Sequence, residues 1–317
     1  MSKPRRARRV RAADIALLAL AALPILCAVL LRVLTAPAEE GIQIHGAFIY
    51  FTVPLPLGGL PVTESQVNSL AVTLSVLFLC LFLTRGMTPR GGGKRQHFAE
   101  FIVGFTDKLV KNNMGESFSG FSPFIGAMMA LSALSSLLSL LGLYPPTSDI
   151  NIVGGWALLV FFLITYYKMK CGPLHYLHSF ADPPLLTPLN VISEVATPLS
   201  MAFRHYGNVL SGSVISVLLA AGLSGLSQLV LGWLPGVLGD FPLLRVGIPA
   251  ILSLYFDLFS GCLQAYIFAM LTMLYVGGAF PAQDYAKMLE KRRARKERKA
   301  NRQSAARGRT AAGASIK

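Results

Sequence analysis

Charged side chains make up only 14% of this chain, and acids are the rarer kind, 15 Asp and Glu against 29 Lys and Arg. So low a charged fraction, beside 53% hydrophobic residues and a mean hydropathy of +0.56, excludes an ordinary soluble domain of 317 residues. The four cysteines, Cys27, Cys80, Cys171 and Cys262, have no Cys-x-x-Cys spacing, so neither a metal site nor a disulfide framework is indicated, and they read as packing residues. A Gly-x-x-x-x-Gly-Lys-Ser/Thr loop is absent, which removes that form of nucleotide site. Alternating strand patterns are absent too, so membrane crossings would be helices rather than a barrel. Internal repeats are also missing. Their lack weakens the alternative of a secondary transporter that uses an intramembrane Arg as an anion or proton-coupling site.

What the chain does have is apolar length. Residues 12–34, 67–84, 124–144, 152–167, 189–219 and 246–280 form runs that can each cross a hydrocarbon core of about 30 Å. The fold class is therefore an all-α membrane protein of about six transmembrane helices. Its last two runs are too long to stand upright and predict a long, tilted C-terminal hairpin. Residues 97–113 place Phe98, Phe101, Ile102, Phe105 and Leu109 at helical spacing, which predicts an amphipathic helix lying at the interface. Residues 36–66, 168–188 and 222–245 are expected as loops. His175 and His178, three apart in the second of these, have no evident third ligand, so the loop is read as solvated rather than metal-binding.

The net charge of +14 is concentrated in the two tails and in short loops, as the positive-inside rule requires, rather than in a nucleic-acid-binding face. A membrane scaffold with a nucleic-acid-binding tail would explain the basic ends but not the polar stripes described below. With the N-terminus inside, the loops at 85–95 and 168–188 and the basic tail all fall on one side. The chain divides into a basic N-terminus with an extra signal-anchor helix (1–36), an outer loop, helix and basic loop (37–97), a core (98–280) and a basic tail (281–317). Residues 12–34 fit either a cleaved signal or a retained span; their length and Arg32 favour retention.

Two polar stripes interrupt the apolar runs. Asn190, Ser193, Glu194, Thr197, Ser200, Arg204, Asn208 and Ser211 recur at spacings of three and four, which predicts one helix face. Ser253, Asp257, Ser260 and Gln264 do the same in the last run. An arginine at the centre of a membrane helix costs about 2.5–3.5 kcal/mol on insertion scales, so it is kept where it faces protein or water. Arg204 either serves ion movement or pairs with a carboxylate of the bundle and fixes packing.

The stretch Pro198-Leu-Ser-Met-Ala-Phe-Arg-His-Tyr-Gly-Asn208 resembles the signature of subunit a of F-type ATP synthases, whose usual form is P-x-S-L-x-x-R-L-F-G-N. Gln264, within Leu-Gln-Ala-Tyr-Ile-Phe268, matches the glutamine opposite the essential Arg in that family, and the resemblance spans about residues 98–280. It implies a stator subunit that forms two aqueous half-channels against the rotating c-ring and couples proton flow to ATP synthesis. Such a subunit is no enzyme by itself. It implies the c-ring and subunit b as partners, with membrane lipid around them and no nucleic acid, and neither cofactor nor metal. The location would be a bacterial inner membrane, with both termini cytoplasmic. The transported ion is the proton; sodium stays open, since ion selectivity would be written mainly in the ring.

On this resemblance Arg204 would be the barrier between half-channels, with Gln264, Asn208 and Ser200 in its region. Asp257 would relay protons in the outer half-channel, or be paired with Arg204 or Arg245 for structure. Glu194 would serve the inner half-channel or be structural. Asp149, in a Pro-x-x-Asp-x-Asn-like turn, would attract protons at the outer mouth, cap the following helix, or do both. Ser213 and Asn190 stand where relatives often carry acids, so the load falls on Asp257.

Overall fold

A computed structural model describes residues 3–35, 46–54, 59–88, 93–180, 184–231, 233, 251–252, 254–281 and 290. Helix α1 spans Lys3–Thr35, and a two-stranded hairpin, β1 (Ile49–Val53) with β2 (Leu60–Thr63), leads into α2 (Glu64–Thr84). Helices α3 (Lys94–Met114), α4 (Ser122–Leu137), α5 (Ile150–Lys168), α6 (Pro173–Phe180) and α7 (Thr187–Leu231) follow. A π-helical segment, Leu254–Ser260, then runs into α8 (Gly261–Ala279). Six helices are long and apolar enough to cross a membrane, and the protein is an all-α membrane protein.

Several expectations are corrected. Part of the outer loop at 36–66 is the antiparallel hairpin, whose edge-to-edge pairing gives its backbone groups partners outside any helix. Residues 168–188 are not one loop: Gly172, at φ +115°, ends the preceding turn, and Pro173 suits the first position of α6 because its missing N–H would have no intrahelical partner there. Helix α7 continues to Leu231, beyond the break expected at Gly222, because the residues after it remain apolar and a lone glycine costs a helix only about 1 kcal/mol. Cys27, Cys80 and Cys262 are exposed free thiols rather than packing groups. The loop residues 234–245 with Arg245, Ser253, and the basic tail 291–317 lie outside the described residues.

The chain forms two compact units, Met1–Leu159 with Thr197–Leu274, and Val160–Ala196 with Tyr275–Lys317. In the first, Ala28, Ala71, Val72, Leu138 and Leu143 form a buried cluster that joins α1, α2 and the residues just after α4. Ion pairs fasten one end of α1 to the start of α2 and the other to the residue after α2 and the start of α3. Arg32 Nη1 lies 3.0 Å from Glu64 Oε2, and Asp14 lies 3.3 Å from Arg95 and 3.8 Å from Arg85.

Helix α3 buries Ala99, Thr106 and Val110 and leaves Phe98, Phe101, Ile102 and Phe105 outward. Its Asp107 accepts a hydrogen bond from Ser122 at the start of α4, and Thr106 packs on Gly126. It does not number among the candidate spans, in keeping with an interfacial helix.

Small residues set the closest approach in the core of this unit. A Cβ on Gly261 would stand 2.6 Å from the Ser136 Cβ, and one on Gly212 would meet the Phe256 ring at 3.1 Å. Helix α4 thus touches the start of α8, and α7 touches the π-helical segment. Gly261→Ala is expected to destabilise the chain by about 1–3 kcal/mol through overpacking, read as a lowered midpoint in thermal unfolding of the detergent-solubilised complex. Gly104→Ala, where a Cβ meets nothing within 4 Å, serves as the control.

Candidate functional site

The site is built on α7 and the segment 254–279. Arg204 is exposed and, among the described residues, has neither an ion pair nor a hydrogen bond. The reading of Arg204 as the paired cation of a packed bundle therefore fails within the described chain, and no ion pair joins it to Asp257. The next residue turns the other way: His205 is fully buried, its Nε2 lying 3.2 Å from Ser132 Oγ of α4. The rings of Trp156 and Phe268 meet it edge-on, with centroids 6.0 and 5.2 Å away.

One turn beyond Arg204, Asn208 Nδ2 donates to Ser260 Oγ at 2.9 Å, and Ser260 Oγ is 3.2 Å from Asn208 Oδ1. This pair ties α7 to the end of the π-helical segment where Gly212 allows close contact. The expected stripe on α7 is therefore divided: Ser200, Arg204 and Ser211 are exposed, whereas Asn208 is half-buried and engaged. The stripe of the last run is changed as well. Asp257 and Ser260 lie in π-helical geometry, whose wider winding breaks the α-helical spacing that would align them with Gln264. Asp257 is half-buried; Gln264 is buried, and its Nε2 has no hydrogen-bond partner among the described residues.

At the other side of the first unit, Asp149 is held at the turn before α5. Its Oδ1 accepts the Asn151 N–H at 2.9 Å and its Oδ2 accepts from Ser65, so it caps α5 and binds α2 at once. Asn68 Nδ2 donates to the Tyr144 carbonyl at 2.9 Å, and buried Glu64 accepts the Tyr144 N–H at 3.3 Å. Burial, then the charge of Asp149, push the Tyr144 hydroxyl up to about 12. It stays a donor, to the Ser148 carbonyl at 3.1 Å.

In the second unit, Glu194 forms a pair with Lys168 at 2.5 Å and accepts from the Tyr176 hydroxyl at 3.4 Å. Asn190 donates to the Phe180 carbonyl at 3.1 Å. The ammonium of Lys170 lies 4.7 Å from the Tyr167 ring centroid and 5.4 Å from that of Phe280. Among the described residues, no group of three His, Cys, Asp or Glu is placed to hold a metal ion. His205 was not singled out from the sequence; its signal was a titratable side chain inside an apolar helix, next to the arginine.

The fold and site define a multispanning helical membrane protein that carries, on the outside of a membrane-length helix, a cation unpaired among the described residues. The family model for the ATP synthase A chain matches residues 67–277. The ATP synthase subunit a of Macrococcus caseolyticus is 31% identical over 225 residues, covering 67% of this chain and 88% of that protein. The subunit a of Listeria monocytogenes is 30% identical over 236 residues, 70% of this chain and 94% of its own. That of Staphylococcus saprophyticus is 28% identical over 225 residues, 67% and 88%. The chain belongs to the family of F-type ATP synthase subunit a.

The Asn208–Ser260 pair gives a local test of this geometry. A double-mutant cycle with Asn208→Ala and Ser260→Ala is expected to give a coupling energy of about 0.5–1.5 kcal/mol in thermal unfolding, as for a hydrogen-bonded pair across two elements.

Proposed function

We propose that this chain is the stator half of the ion path in the membrane sector of an ATP synthase, with Arg204 as the barrier that faces the c-ring. The observation that carries the reading is an arginine exposed on a membrane-length helix without a partner among the described residues of its own chain. A cation in that position is costly in hydrocarbon unless water or an anion from another subunit meets it. A carboxylate on a rotating ring supplies such an anion. Only 6% of the apolar window of α7 is buried inside the chain, against 44% for the window of residues 254–279, so α7 has a face to offer to another subunit.

The chemistry follows from two properties of the guanidinium. It does not lose its proton in practice, so it conducts nothing itself. Its charge favours the ionised form of a nearby carboxylate, so a ring carboxylate that arrives gives up its proton toward one half-channel and takes another after leaving. Asp257 is the acid suited to relay on the outer side, with Gln264 and Ser200 in the region of the Arg and Asn208 held in place by Ser260. Asp149 would gather protons at the outer mouth. Glu194, bridged to Lys168, would contribute charge on the inner side. Partners in this reading are the c-ring, subunit b and membrane lipid. The transported ion is the proton, the location is a bacterial inner membrane, and both termini are cytoplasmic.

ATP-driven proton pumping in inverted membrane vesicles tests the reading. Arg204→Ala is expected to lower pumping about tenfold or more with the complex still assembled, and Asp257→Asn to lower it in the same assay. Unchanged pumping by assembled Arg204→Ala complexes would overturn the mechanism.

A further inference from the structure

Behind the exposed arginine the first unit contains a line of buried polar groups that leads from the Asp149 turn to His205. Thr147, two residues before Asp149, is buried, and its Oγ1 lies 3.3 Å from Ser136 Oγ. Ser136 Oγ in turn donates to the Ser132 carbonyl at 3.2 Å, and Ser132 Oγ lies 3.2 Å from His205 Nε2. Ser132 and Ser136 are one turn apart on the same face of α4, about 6 Å along the axis, a gap that one water spans. Each of these four side chains is at most 2% exposed.

Two further buried polar atoms of this unit stand without a hydrogen-bond partner among the described residues. His205 Nδ1 has no hydrogen-bond partner among the described residues, and neither has Gln264 Nε2, which sits one helical turn before Phe268, a ring packed on the imidazole. Buried polar atoms are normally satisfied by protein or by ordered water, so an orphan of this kind marks a place for water. Among the described residues, the hydrogen-bond and ring partners of the imidazole are Ser132 from α4, Trp156 from α5 and Phe268 from α8, none of them charged. A buried histidine with one hydroxyl on Nε2, two rings beside it and an Nδ1 without a hydrogen-bond partner among the described residues is placed to pass a proton rather than to bind a fixed partner.

We propose that His205 is a proton relay, fed from the outer side through Thr147, Ser136 and Ser132 at Nε2 and discharging from Nδ1. The inference rests on the ion-path reading above and assigns a residue to it. In the step, Nε2 of the neutral ring takes a proton arriving at Ser132 while Nδ1 gives up its own. The net result is one proton moved and the ring left in its other tautomer. Rotation of the hydroxyls and return of the tautomer reset the line, so no oxidant or co-reactant is needed. The route would act in addition to Asp257, and it supplies a titratable group on α7 where Ser213 and Asn190 do not.

The test uses the complete complex in native membrane vesicles, with passive proton conduction measured after the catalytic head is stripped off and ATP-driven pumping measured before. His205→Gln keeps a hydrogen-bonding group for Ser132 but cannot shuttle protons. It is expected to assemble, to lower passive conduction about tenfold or more, and to be restored in part by added imidazole. Normal conduction by the assembled His205→Gln complex would overturn the proposal, and so would lost conduction that imidazole leaves unchanged, since a purely structural histidine predicts no rescue. Should His205→Gln fail to assemble, Ser132→Ala decides: reduced conduction supports the line, and full conduction rejects it. Arg204→Ala in the same vesicles separates the two claims. Normal pumping there would sink the ion-path reading as a whole, whereas loss there beside normal His205→Gln conduction would remove only the relay.

Discussion

A permanent cation on a helix of membrane length, uncompensated by the described part of its own chain, is the constraint on which the rest depends. The described residues leave Arg204 without a partner, and a cation in hydrocarbon needs water or an anion to complete its surroundings. This explains an arrangement that would be wasteful in a self-sufficient bundle. The segment after residue 254 is well buried, while α7 is left largely bare. The chain spends its packing on holding one helix in position and leaves that helix open to something else.

Holding α7 in position is the work of close contacts rather than of strong ones. Gly212 lets the Phe256 ring approach, Gly261 lets α4 approach, and the Asn208–Ser260 pair fixes the rotation of α7 within a turn of Arg204. Each of these would be modest alone. Together they orient the guanidinium outward and the His205 ring inward, so that two adjacent residues serve opposite sides of one helix. The buried hydroxyls of α4 then have a function in addition to packing, because they are the polar groups that the inward side of α7 meets.

Much of this was legible in the sequence. The six apolar runs gave six membrane-length helices, the spacing of Phe98, Phe101, Ile102 and Phe105 gave an interfacial helix, and Arg204 was conspicuous because charge is rare in such a setting. Other features were not legible, for physical reasons. The π-helical segment around Asp257 depends on tertiary packing, and no local pattern in Leu254–Ser260 announces a change of winding. The length of α7 was underestimated because glycines at 222 and 225 look like breaks, although an apolar surrounding supports the helix through them. The helix at Pro173 is hidden in the sequence because a Gly-Pro pair suits a loop as well as a helix start. The hairpin escaped notice because its strands are short and its polar alternation is weak. His205 is not marked by any spacing in the sequence; its burial and its unsatisfied nitrogen set it apart.

Helix α3 has a mechanical meaning besides its place in the fold. A rotor turning against this chain would drive it around an axis normal to the membrane, and upright helices offer little resistance to that motion because lipid flows past them. If α3 lies at the interface, as its four large outward apolar side chains and its ties to α4 through Asp107 and Thr106 suit it to do, it would resist such turning as an oar does, and a sliding contact would become a braced one.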